Sequence, residues 1–337
     1  MLLKTRTFRA ILIIAVLASL STFDAVAQAK FATRLIVLNK NANSVSIIDP
    51  ATGKTEQTIP VGEGPHEVAI SDDGRTAYVA NYGASVPGSS FSVIDIALGS
   101  EKRVDVSPLT RPHGLHLLGG KLYFSAESNR VIARLDPATL KVDWIMGTGQ
   151  NVSHMVVGTA DQRSFFTTNI GSDTVTAFSL AATPPAASSI TQIPVGKQPE
   201  AIGISPDGAE VWVGLNNDNA IDVIATASKT VVKRIDLGAR PYRVLFEPTG
   251  KRVYSTIFAT SEIVEIDPVS KSVIRRLKVD GTPFGISFSK DGKTAYVSLN
   301  REKAYIVVDL EKLEVVARGE TGDGPDGIAI TSLEVLK

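Results

Sequence analysis

The sequence predicts an all-β fold, a seven-bladed β-propeller with four-stranded blades. Three observations predict it. An octapeptide recurs seven times, strand-like runs fill the interval between copies, and the two ends of the chain supply complementary parts of one blade. The copies are GPHEVAIS from Gly64, RPHGLHLL from Arg111, VSHMVVGT from Val152, QPEAIGIS from Gln198, RPYRVLFE from Arg240, TPFGISFS from Thr282 and GPDGIAIT from Gly324. Their second residues (Pro65, Pro112, Ser153, Pro199, Pro241, Pro283, Pro325) are spaced by 41–47 positions. A unit of that length, repeated, marks a propeller when each unit carries four strands.

The first residues read as a leader rather than as part of the fold. Lys4, Arg6 and Arg9 precede the apolar run AILIIAVLASL, which is too short for a helix to span a bilayer. Small residues then frame cleavage after Ala27 or Ala29. Residues 1–29 are therefore expected to be a secretory signal peptide, and residues 30–337 a single propeller domain. The expected location is periplasmic or secreted, with no membrane span in the mature form.

Each repeat follows the same course. An alternating strand follows the anchor, as in Val68 and Ile70. An Asp-Gly turn comes next (Asp73-Gly74, Asp207-Gly208, Asp291-Gly292), where glycine accepts the positive φ of a tight turn. A second strand follows over residues 76–81, 210–215 and 294–299, and a third ends on an aspartate. The fourth ends on Val-Gly or its equivalent. Val, Ile, Tyr and Thr between Gly, Pro, Asn and Asp are the composition of strands and turns. The recurring Asp49, Asp95, Asp136 and Asp267 read as turn caps. Two longer spacings carry insertions at residues 85–90 (SVPGSS) and 183–189 (TPPAASS). The seventh anchor has only one strand after it, and residues 34–39, 44–49 and 54–61 form three strands with no anchor before them. Together they make one shared blade, which closes the ring and leaves no open edge. Residues 333–337 follow the last strand, and the pattern assigns them no role.

Tyr78-Val79-Ala80-Asn81, with Ser92-Val93-Ile94-Asp95 after it, resembles the YVTN-repeat β-propeller family. Phe166-Thr167-Thr168-Asn169 and Tyr296-Val297-Ser298-Leu299 are looser copies. The resemblance covers the chain beyond the leader. It implies a propeller fold and a secreted or surface-associated setting, and it transfers no catalytic residue.

Composition narrows the function. Thirty-five Lys+Arg balance 35 Asp+Glu, which gives no electrostatic footprint for nucleic acid. There is no cysteine for a disulfide or a thiol nucleophile. No glycine-rich phosphate loop or nucleophile-elbow serine motif appears in the sequence.

The candidate site comes from the repeat register. The residue after each anchor forms a column, one entry per blade: His66, His113, His154, Glu200, Tyr242, Phe284 and Asp326. Three of the four histidines fall in that column, on three consecutive blades. The next column contains Glu67 and Arg243. The ends of the second strands are expected to add Asn39, Asn81, Glu127, Asn169, Asn216 and Asn300 on the same face.

Three imidazoles and a carboxylate (His66, His113, His154, Glu200) would suit a divalent transition metal. With an open coordination position the same set would support hydrolase or lyase chemistry, with Glu67 or Glu127 as base and Arg243 holding an anion. A metal-free site is the other reading of these residues. In it, His66, His113, His154, Glu200, Tyr242, Arg243 and Asp326 bind a small polar or anionic ligand. The remaining alternative is a non-catalytic module docking an envelope protein. Either way the chain is expected to be a monomer. His116 stands an odd step from His113 and is expected to point to the opposite face, buried or between blades.

Overall fold

Seven antiparallel sheets of four strands each form the ring in the computed structural model, which describes residues 33–180 and 188–331. The expected leader and residues 333–337 lie outside the described residues, as does most of the second insertion. Ring closure is as the sequence predicts. Pro325–Ile330 pairs antiparallel with Leu35–Asn39, which continues through Ser44–Ile48 to Thr55–Pro60. No helix among the described residues is long and apolar enough to cross a membrane.

The first strand of each blade is innermost. Apolar side chains of the second and third strands pack between neighbouring sheets. One cluster joins Ile36, Leu38, Val45 and Ile47 of the closing blade to Ala77, Val79 and Ile94 of the next. Trp212 fills an equivalent slot and is fully buried, its indole N–H donating to Glu210 at 3.0 Å. The first insertion lengthens a hairpin, so its strands are Thr76–Gly83 and Pro87–Asp95. Gly74, Gly208 and Gly292 take φ near +70° in the Asp-Gly turns. The repeated aspartates cap turns as expected, Asp95 accepting from the backbone N–H groups of Ala97 and Leu98.

One irregularity positions the site. In six blades the pairing of the first two strands shifts just after the anchor: Pro65 to Val68, Pro112 to Leu115, Ser153 to Val156, Pro199 to Ile202, Pro283 to Ile286 and Pro325 to Ile328. A β-bulge inserts a residue and re-aims the side chains beside it. The two columns that carry His66 and Glu67, or His113 and Gly114, sit inside that shift.

Candidate functional site

The bulge frees backbone groups, and the second strands hold them. Ser125 Oγ accepts from the bulged Gly114 N–H at 2.9 Å and donates to the carbonyl of His154 on the next blade. Thr168 links Met155 N–H to the Glu200 carbonyl in the same way, at 3.1 Å to each. Ser298 links Gly285 N–H (2.8 Å) to the Asp326 carbonyl (2.6 Å). Each hydroxyl pins the backbone of a column residue, so the column is rigidly placed.

The three histidines meet in one row, His66 edge-on to His113 and His113 tilted against His154. The ring centroids of His66 and His113 are 4.2 Å apart, and those of His113 and His154 are 3.8 Å apart. Both outer imidazoles are held by carboxylates through Nδ1. His154 Nδ1 contacts Glu127 Oε1, whose other oxygen accepts from Tyr82 OH at 2.5 Å. His66 Nδ1 lies 2.7 Å from Asp326 Oδ2, at ion-pair distance but off the hydrogen-bonding line. Lys40 Nζ stands 3.6 Å from the same oxygen.

His113 is different. It is 1% exposed, and neither ring nitrogen has a hydrogen-bond partner. Burial, then the neighbouring His154 and His66, pushes its pKa well below the usual imidazole value, so the ring is neutral. Burial would raise Glu127, but the hydrogen bond and charge of His154 outweigh it and hold the carboxylate ionised. Asp326 behaves alike. Burial would raise it, yet the charge of His66, with Lys40 and Arg243 behind, keeps it well below the carboxylate range.

The far side of the ring is aromatic. Tyr242 and Phe284 pack at 4.3 Å, and Phe258 closes the group at 5.5 Å from Phe284. Tyr242 OH donates to Asp326 Oδ1 at 2.9 Å. Arg243 lies over the Tyr242 ring, pairs with Glu67 on the far side of the channel, and is 3.9 Å from Asp326. Below this layer the channel widens to a cavity of about 320 Å³.

Among the described residues, two groups have their donor atoms within 4.8 Å of one another: His66, Glu67 and His113; and His113, Glu127 and His154. His113 belongs to both. Glu200 belongs to neither; its carboxylate contacts Asn216 and pairs with Arg240 at 3.2 Å.

One expectation requires correction. The second-strand column mixes two registers. Asn39 and Asn81 pair directly opposite the anchors Pro325 and Pro65, as Asn169 does opposite Ser153. Their amides bond third-strand hydroxyls inside the blade, Asn39 to Ser44 and Ser46. The residues that contact the first column stand one position later: Lys40 and Tyr82 against His66, Glu127 against His154, Asn216 against Glu200, and Phe258 against Tyr242. Lys40, Tyr82 and Phe258 were thus missed, although counting four residues on from the second-strand slot of Ile36, Tyr78 or Tyr254 finds them. His116 is set against the backbone of Gly158 on the next blade, and it also lines the channel cavity.

This geometry can be set beside known proteins. A family model for YNCE-like β-propellers matches residues 7–332. The chain belongs to that family. Comparison with curated proteins gives no match. Among solved structures, the fold resembles Kuenenia stuttgartiensis hydrazine synthase, with a TM-score of 0.68 at 19% identity, covering 79% of this chain and 89% of that one. A functionally unknown protein from Desulfotomaculum acetoxidans aligns with a TM-score of 0.74 at 15% identity, over 89% and 99% of the two chains. Apo AztD from Citrobacter koseri aligns with a TM-score of 0.68 at 14% identity, over 90% and 99%. At these identities the likeness is one of fold.

Proposed function

We propose that this propeller is an exported binding protein for one divalent first-row transition ion, held by His66, His113 and His154. The observation that carries the reading is His113, a neutral buried imidazole with two unpartnered nitrogens between two other histidines. A buried polar group without a partner costs about 1–3 kcal/mol, and an ion would remove that cost. The carboxylates support the same reading. A metal-bound imidazole commonly holds its other nitrogen against a carboxylate, which fixes the ring and raises its basicity. Glu127 stands so against His154, and Asp326 against His66. Glu67 lies near the donor atoms of His66 and His113, and His113 near those of His154; an ion on His66 Nε2 would displace Lys40 Nζ, which stands 3.4 Å from it.

Ion holding is favoured over bond cleavage. The histidines sit in a packed layer, His66 9% and His154 8% exposed, which leaves little room for a substrate over the ion. Export rests on the leader expected at residues 1–29.

Zinc titration of the metal-free mature protein against a chromogenic chelator tests the proposal. One equivalent should bind. The triple variant His66→Ala, His113→Ala, His154→Ala should bind at least 100-fold more weakly, while Phe284→Leu stays within threefold of wild type. Absence of stoichiometric binding, or a triple variant equal to wild type, would overturn it.

A further inference from the structure

The cavity beneath the histidine layer has a roof made of one ion pair. Arg243, 6% exposed, contacts Glu67 from roughly the opposite side of the ring, and both side chains line the cavity. The walls below are mostly apolar, with Leu115, Ile202, Leu245 and Ile286 among them. Its volume of about 320 Å³ lies at the small end of ligand pockets, which pair apolar walls with a few placed polar groups. Val68, Leu245, Ser287 and Phe288 are half-buried, so the cavity reaches solvent at the end away from the histidines.

Glu67 is shared between two claims. Its carboxylate is Arg243's partner, and it also lies within 4.8 Å of the donor atoms of His66 and His113. It cannot serve an ion above and the guanidinium below equally well. If it turns to the ion, Arg243 keeps only Asp326 at 3.9 Å, and Asp326 is already engaged by His66, Lys40 and Tyr242. A buried charge stripped of its partner is strongly unfavourable, so Arg243 would then recruit an anion from the cavity.

We infer that the cavity binds a small amphipathic carboxylate, its head on Arg243 and its chain along the apolar walls, and that an ion on the histidines promotes this binding by drawing Glu67 away. The inference rests on the metal reading for its coupling, but the carboxylate site itself does not. Linkage makes the effect reciprocal: the carboxylate must tighten the ion by the same factor.

Octanoate is a suitable probe, with 1-octanol as the uncharged control, in calorimetric titrations of metal-free and zinc-loaded protein. Octanoate should bind the zinc-loaded form about tenfold tighter, a coupling within the usual range, and octanol should bind both forms alike. Glu67→Gln should raise octanoate affinity of the metal-free protein to the zinc-loaded level and abolish the zinc effect. Arg243→Gln should remove the preference for octanoate over octanol. If zinc does not bind, the metal reading falls and Glu67→Gln still decides the site. If zinc binds but octanoate responds neither to zinc nor to Glu67→Gln, the inference is wrong and the metal reading stands. No octanoate binding to any form would also overturn it.

Discussion

Two arcs of the same ring occupy the same repeat position and do opposite things. On the blades of His66, His113 and His154 the column is polar and closely packed, with one imidazole left unsatisfied. On the blades of Tyr242 and Phe284 it is aromatic and its one polar group is satisfied, Tyr242 OH on Asp326. The scaffold beneath is alike: the anchor, the bulge where present, and a hydroxyl (Ser125, Thr168, Thr256, Ser298) bonded to the next blade's carbonyl. The difference teaches that the repeat fixes where a side chain points and leaves its chemistry free. One arc spends stability on an unmet hydrogen-bonding need; the other is ordinary packing.

The contrast can be broken with acid. His113 and His116 both lie on the strand Pro112–Leu118, and burial lowers both, His116 from 6.5 to about 4. Between those values the unfolded chain binds the proton and the folded chain does not, so stability is lost as pH falls from about 6.5 toward 4. The expected loss is about 2 kcal/mol for such depressed imidazoles, discounted for partial exposure. Melting temperature measured against pH should show it, and His116→Asn should flatten the slope where Phe284→Leu does not. An unchanged slope in His116→Asn would remove the acid-sensitive arc from the comparison.

A finer test separates orientation from coordination. Glu127→Gln keeps the shape beside His154 but removes the charge. Zinc affinity should fall about tenfold, the usual loss when the partner behind a ligating histidine is neutralised, with the folded structure intact by circular dichroism. Equal affinity would mean that Glu127 serves only to pair Tyr82 and His154 in the resting fold. The smallest effect belongs to the aromatic arc. Tyr242→Phe deletes one hydrogen bond to Asp326 and should cost about 1 kcal/mol in urea unfolding, without moving zinc affinity more than threefold. A larger shift in zinc binding would show that the two arcs are coupled through Asp326.

Much of this was legible in the sequence. The octapeptide located all seven inner strands, and the unmatched strands at the two ends located the closing blade. The histidine column followed from the same count, because the bulge recurs at the same place and adds the same offset each time. The second ring was harder. Asn81 and Asn216 are the same residue type one register apart, so identity suggested an equivalence that pairing denies: Asn81 pairs with Pro65, whereas Leu215, not Asn216, pairs with Pro199. What no pattern could supply is the pairing across the ring. Arg243 with Glu67, and Tyr242 with Asp326, join side chains from separate blades whose meeting depends on the diameter of the channel.

Closure of the ring sets a timetable for the site. His66 and Lys40 are made early by the ribosome, whereas Asp326, which sits against both, belongs to the last strand of the fold. A partly synthesised chain therefore has its histidines without the acid that steadies one of them. Before the final strand docks, a captured ion would meet looser, more solvated ligands, and the finished barrel of blades would be the first state able to grip it. On the metal reading proposed above, occupancy would report on completed folding, and a chain cut short before Asp326 would retain zinc poorly even with all three histidines present.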